Sequence, residues 1–255
     1  MFSLECDFAV TGGSTKRCQS SVFLTLILLL FSPFTEAFPP YKTTDADTAD
    51  PYDLELRLGI IKVERAERTT DFVSPLLRMN FGLPDKIEVV SEFEYKPEQH
   101  ELGDGAIGIK WAPMQGPLSF GVETLLLLPV RSGDDAVGLE SQLLATWRGP
   151  DQGLRVHMNA GGFHDPRGSA TENGWRASLL AEYTENSLRP GLELFVKQNK
   201  GQDADVRLGA GLIKDAGQFE IRTAVHIGIT SQAPDMVFNV WLSMKLPFRK
   251  SPQTP

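Results

Sequence analysis

The side chains in this sequence best suited to proton transfer or metal binding are four histidines, at positions 100, 157, 164 and 226. His157 and Asn159 stand at i, i+2, so on a strand they share one face. Together they supply part of a Ser/His/Asn hydrolytic group, but that face is the polar one, turned away from lipid in the reading below. His164-Asp165 is an equally weak metal site, because no further ligand is spaced to join it. Gly161-Gly162 and Gly209-x-Gly211 are not phosphate loops, since no helix follows either. Cys6 and Cys18 are the only cysteines, and both precede residue 37. The rest of the chain can hold no disulfide scaffold, thiol nucleophile or cysteine metal site. The sequence therefore reads as a non-enzyme, with no catalytic residue, cofactor or metal assigned.

The charged residues carry more information. Lys42-Thr43-Thr44-Asp45-Ala46-Asp47-Thr48 is a polar, Asp-rich run; it could bind a cation or thread into a lumen, and a solvated leader is the simpler reading. Glu88, Glu92 and Glu94 share one strand face and could select cations or be neutralised by basic residues opposite. The formal charge is −8. There is no basic stripe, so no nucleic-acid partner is expected.

The start of the chain carries an export signal. Lys16-Arg17 precedes the only long apolar run, Ser20–Phe34, which leads into Thr35-Glu36-Ala37. A basic region, an apolar core of roughly a dozen residues and a small residue at the cut describe a cleaved signal peptide, with cleavage expected after Ala37. An N-terminal membrane anchor is the alternative, but the run falls short of the roughly 18 residues a spanning helix needs. The expected organisation is an extension plus signal at 1–37, a periplasmic leader at 38–52, a barrel at 53–248 and a tail at 249–255.

From residue 53 the hydrophobic pattern has period two. Leu118, Phe120, Val122, Thr124, Leu126 and Leu128 alternate with other residues, as do Phe219 to Ile229 and Met236 to Phe248. Twelve such segments are expected: 53–63, 72–83, 86–96, 104–112, 118–130, 137–148, 154–163, 174–185, 191–197, 205–213, 219–230 and 236–248. Most have the length at which a tilted strand crosses a bilayer. Connections near residues 85, 115, 151, 188 and 216 are short, and those between them are generally longer and more polar. This pattern and the even count point to an all-β fold, an antiparallel up-and-down transmembrane barrel with short periplasmic turns and longer extracellular loops.

Alternation alone does not say which face meets lipid. The face opposite the apolar one holds Glu55, Arg57, Arg78, Glu88, Glu92, Glu94, Lys110, Glu123, Glu140, Arg155, His157, Arg176, Glu182, Glu193, Arg207, Glu220, Arg222, His226 and Lys245, interspersed with glycines. These are the candidate pore-lining residues, since mixed charge suits a polar lumen. Aromatic residues such as Trp111, Trp147, Tyr183 and Phe248 fall near strand ends, as in an interfacial girdle. A secreted β-sandwich or lipocalin-like barrel with the apolar face inside is the soluble alternative. Val90, Leu125, Leu127, Leu144, Leu180 and Phe195 break the polar face and speak for it, unless they form a lumen plug or mark errors of register.

Three stretches resemble a known family. Phe38–Asp50, FPPYKTTDADTAD, runs directly into the first strand. Phe81-Gly82-Leu83-Pro84-Asp85-Lys86-Ile87-Glu88 and Leu102 to Trp111 follow later. Together they resemble the outer-membrane family named after the phenol meta-cleavage pathway, whose members are described as candidate transporters. Phe248 is similar to the terminal aromatic read by the barrel-assembly machinery, although seven residues follow it here. The resemblance implies an outer-membrane barrel of transporter type and brings no defined substrate. Joined to the charged inner face, it gives the expectation of a channel of the cell outer membrane passing small molecules, hydrophobic or aromatic ones by family analogy, by diffusion through a charged lumen. Its partners would be outer-membrane lipid, the assembly machinery and small-molecule cargo. An occluded barrel serving structure or interaction is the alternative, and an envelope lipid enzyme the least favoured.

Overall fold

The computed structural model describes residues 40–65, 70–131, 133–150, 153–168 and 170–248. The signal segment and the C-terminal tail expected from the sequence lie outside them. Twelve strands follow one another: β1 (Asp53–Glu64), β2 (Thr70–Leu83), β3 (Ile87–Lys96), β4 (Glu101–Met114), β5 (Leu118–Leu127), β6 (Gly138–Arg148), β7 (Leu154–Asp165), β8 (Glu172–Tyr183), β9 (Leu188–Asn199), β10 (Asp205–Ala216), β11 (Phe219–Gly228) and β12 (Met236–Pro247). Each pairs antiparallel with its chain neighbours. β1 closes on β12 in unbroken register from Asp53↔Pro247 to Glu64↔Met236. Closure leaves no open edge, which is the condition for a sheet to sit in hydrocarbon.

All twelve expected segments are strands, with different ends. β4 begins earlier and ends later than expected, and β8 to β10 likewise extend into segments read as turns. β5 stops at Leu127 rather than residue 130: Leu128 N–H still donates to the Gly105 carbonyl at 2.8 Å, but Pro129 has no N–H with which to continue the ladder. The tight rim carries the connections 84–86, 115–117, 149–153, 184–187 and 217–218, and the other rim carries generally longer ones.

The apolar alternation faces outward. Leu143 and Leu192 are each 68% exposed, and Ile109, Leu126, Leu179 and Leu208 are exposed too. The soluble alternative, with its apolar face inside, is thereby overturned. Trp111, Phe120, Trp147 and Tyr183 ring the short-turn rim and are exposed; Phe248 meets Phe81 edge-on at 6.5 Å. Leu143 and Leu192 stand near the middle of β6 and β9, so Leu143→Arg or Leu192→Arg is expected to cost about 2–4 kcal/mol at the bilayer midplane. The measurement is the urea midpoint at which the heat-modifiable folded band disappears.

The inner face is polar over most of its circumference, with one apolar sector. Ile61, Val63, Val73, Leu76, Val237 and Trp241 form a buried cluster on β1, β2 and β12. Trp241 lies opposite Gly59, and a Cβ at Gly59 would meet the indole ring. The apolar exceptions Val90, Leu125, Leu144, Leu180 and Phe195 are in register and buried on the inner face.

Residues 40–52 are not a solvated leader, as the simpler sequence reading had it. They run inside the barrel: Tyr41, Lys42, Thr43, Thr44, Ala46 and Ala49 are all buried. The physical reason is that wall side chains supply the hydrogen bonds that water would otherwise give this segment.

Candidate functional site in the lumen

The leader enters at the short-turn rim, where Tyr52 N–H donates to the Gly82 carbonyl and Phe248 N–H to the Tyr52 carbonyl. Upstream, Ala49 N–H donates to Glu88 at 2.6 Å and Ala46 N–H to the Thr146 hydroxyl at 2.8 Å. Thr44 is held twice by Asn159: its N–H donates to Oδ1 at 2.7 Å, and its carbonyl accepts from Nδ2 at 2.8 Å. Glu193 accepts from Lys42 N–H at 3.0 Å, Thr43 N–H at 2.5 Å and the Thr43 hydroxyl at 2.6 Å. Asn239 then donates to the Pro40 carbonyl at 3.0 Å. Asn159 and Glu193 are each the sixth residue of twelve in their strands, so the leader climbs to mid-barrel while passing from β3 round to β12.

Three side chains of the leader add to this. Asp45 takes a hydrogen bond from Lys110 at 2.9 Å, and Asp47 pairs with Arg148. The Tyr41 ring packs against Leu180, Ile213 and Ala224. Gly191 and Gly211 make room for it: a Cβ on Gly191 would stand 2.5 Å from the phenol oxygen, and one on Gly211 2.8 Å from Cε1. At both positions any side chain would take the space the ring needs.

The nineteen candidates stand at positions of the strands whose side chains alternate inward, and many of them are bonded to one another or to the leader. Arg78 reaches Glu92 at 3.1 Å and Glu123 at 3.4 Å, and Asn80 joins Glu88 at 2.5 Å. His157 bonds to the Thr146 hydroxyl at 2.9 Å and to Glu182 at 3.3 Å, with Arg155 opposite Glu182 in the ladder. His226 Nε2 lies 2.6 Å from Glu193. Arg176 pairs with Glu140 and Arg207 with Asp205. Near the short-turn rim Arg222 pairs with Glu220, and Glu55 with both Arg57 and Lys245. Glu94 is buried on β3, and Lys110 turns to the leader. Asn159 of the weighed hydrolytic pair holds the leader, so both it and His157 are engaged in the lumen. Thr146 and Asn239 carry no signal of leader contact in the sequence, being neutral polar residues of a strand face, and Asn159 stands out there only as a neighbour of His157.

Among the described residues, one cavity borders the leader and another lies at the short-turn rim. The larger, about 640 Å3, opens toward the long-loop rim and is lined by Lys42, Arg78, Glu92, Arg176, Lys197 and Arg207 among others. The smaller, about 330 Å3, opens at the short-turn rim beside Glu55, Glu220, Arg222 and Lys245. At the edge of the larger one, Arg167 of the β7–β8 connection is buried. It pairs with Asp104 and Asp165 and donates to the Leu128 carbonyl at 3.1 Å.

Desolvation within the barrel pulls the Asp45 carboxyl up, although its side chain stays half exposed to the lumen, but Lys110, His157 and Arg57 outweigh it and hold it well below its usual 3.8. A carboxylate whose docked value lies below its free value favours docking above the free value and loses that contribution as pH falls through the docked one. Acidification below about pH 4 is therefore expected to loosen the leader. Asp45→Asn should weaken that dependence, as read by the frequency of open events in a planar bilayer at falling pH.

No protein-family model matches the sequence, and no curated protein matches it either. Solved structures do match in fold. The COG4313 outer membrane channel from Pseudomonas putida F1 superposes with a TM-score of 0.60 over 83% of this chain and 100% of that one, at 14% identity. The shared fold is a closed, twelve-strand antiparallel barrel. The KdgM porin matches with a TM-score of 0.56 over 75% of this chain and 98% of its own, at 12% identity. The NanC porin gives 0.56 over 76% and 100%, at 10% identity. In this porin-like barrel the polar residues enclosed by the wall and the inward leader constitute the candidate site.

Proposed function

We propose that this chain is a channel of the cell outer membrane for small molecules, narrowed by its own leader. The observation that carries the reading is a polar inner face, closed off by an apolar outer one, with cavities opening toward both rims. Diffusion would run past the leader through the charged lumen, with selectivity set by width and charge arrangement. The short-turn rim would face the periplasm, after export and removal of residues 1–37, and Phe248 would serve recognition by the assembly machinery. The resemblance to the phenol meta-cleavage family extends the cargo to hydrophobic or aromatic molecules. Nothing in this mechanism calls for catalysis.

One observation favours a second reading, an occluded barrel serving structure or interaction. The leader is bonded to wall residues from β3 round to β12, and most wall charges are already paired. Conductance separates the two. Refolded protein showing heat-modifiable migration and stable, ion-selective steps in a planar bilayer is a channel. An inserted barrel that stays silent, with the leader intact or loosened, is not.

A further inference from the structure

The wall grips the leader largely by its main chain. Five N–H groups, of Lys42, Thr43, Thr44, Ala46 and Ala49, donate to Glu193, Asn159, Thr146 and Glu88. Two carbonyls, of Pro40 and Thr44, accept from Asn239 and Asn159. Residues 40–49 belong to no helix and no ladder. Side chains projecting inward from five different strands thus do what a neighbouring strand does for an extended chain, satisfying main-chain donors and acceptors in a confined space. Such contacts do not depend on the identity of the side chains of the bound segment.

Sequence preference enters at a few points. The Tyr41 pocket of Leu180, Ile213 and Ala224, roofed by two glycines, takes a flat ring. Lys110 and Arg148 meet carboxylates four and six residues further on. A segment with an aromatic residue followed at those spacings by two acids fits all three. Opposite charge at two places on a main-chain template gives register as well as affinity.

We propose that the lumen is a peptide-binding groove, and that extended acidic peptides with an aromatic residue ahead of the acidic pair are the class of ligand this channel admits in place of its leader. The proposal rests on the channel reading for the route by which the peptide arrives. The leader is then a tethered competitor. A flexible tether this short keeps it at an effective concentration on the order of millimolar, so a free peptide competes well only when the leader is weakened.

The test weakens the leader and leaves the wall untouched. In the full chain, Tyr41→Ala, Asp45→Asn and Asp47→Asn are combined, and the protein is refolded in detergent. The probe is a fluorescent peptide with the sequence of residues 41–49, compared with the same peptide N-methylated at Thr43, Thr44 and Ala46. The triple variant should bind the probe at least about tenfold more tightly than the unaltered protein. N-methylation should cost at least about tenfold, the equivalent of one lost hydrogen bond to a charged acceptor. Equal binding of the two peptides, or no gain in the variant over the unaltered protein, overturns the groove. Conductance of the same variant keeps the two readings apart. Increased conductance without peptide binding sinks the groove and leaves the channel. Peptide binding without any conductance supports the groove and sinks the channel.

Discussion

Replacing Glu193 by alanine is expected to convert a barrel that conducts in small, infrequent steps into one with large, long-lived ones. Glu193 is 2% exposed and receives three hydrogen bonds from the leader, those of Lys42 N–H, Thr43 N–H and the Thr43 hydroxyl. A hydrogen bond to a charged group is worth about 1.5–3 kcal/mol, and leaving a buried donor unmet adds to the loss. Neighbouring bonds of this kind are not additive, so the net cost to docking is taken as about 3–5 kcal/mol. That shifts the ratio of docked to undocked leader by a factor on the order of 100 or more. The ladder between β9 and its neighbours is made by main chain, so heat-modifiable migration should be unchanged. Glu193→Gln keeps one acceptor and should fall between the two proteins in open time. An alanine variant whose conductance matches the unaltered protein would mean that Glu193 does not hold the leader in place.

The second large effect concerns Tyr41. Truncating a large buried aromatic typically costs about 3–5 kcal/mol, and here the loss falls on docking rather than on the barrel, because Tyr41 belongs to no strand. Gly191→Val should produce the same result from the opposite side. The new side chain would occupy the space of the phenol ring, with even its first carbon 2.5 Å from the Tyr41 oxygen. The measurement is trypsin cleavage after Lys42, which is buried when the leader is docked. When opening and closing are fast, cleavage tracks the population of the open form. Both variants should therefore be cut at least about tenfold faster than the unaltered protein, the change in population that 1.4 kcal/mol brings. Tyr41→Phe, which keeps the ring, should stay close to the unaltered rate.

The barrel was legible because its signal is repeated. Every strand shows the same period of two, and the charged face recurs in each, so residues as far apart as Glu55 and Lys245 could be assigned to one surface before their pairing was known. Strand ends were less legible. Ladder bonds continue into segments whose composition reads as turn, and they stop where a proline such as Pro129 withholds a donor. The leader was the larger miss. Its polar, Asp-rich sequence has the composition of a solvated segment, and composition is silent about partners. What draws it inside is a set of wall side chains spread from Glu88 to Asn239, each unremarkable alone, brought together only by closure of the sheet. Leu180 was visible as an apolar exception on the polar face, and its meaning became clear once the Tyr41 ring was found beside it, with Ile213 and Ala224. Gly191 and Gly211 gave no separate signal among the many strand glycines.

The most direct test of the account compares single-channel conductance of the refolded chain with that of a chain lacking residues 38–48, in the same lipid and salt. All twelve strands and the β1–β12 closure lie beyond the deletion, so both proteins should show heat-modifiable migration. The shortened chain is expected to conduct in clearly larger and longer-lived steps, and Glu193→Ala should bring the intact chain toward that level. Identical conductance from two folded, inserted barrels would contradict it, because the leader would then neither fill nor narrow the path through the lumen.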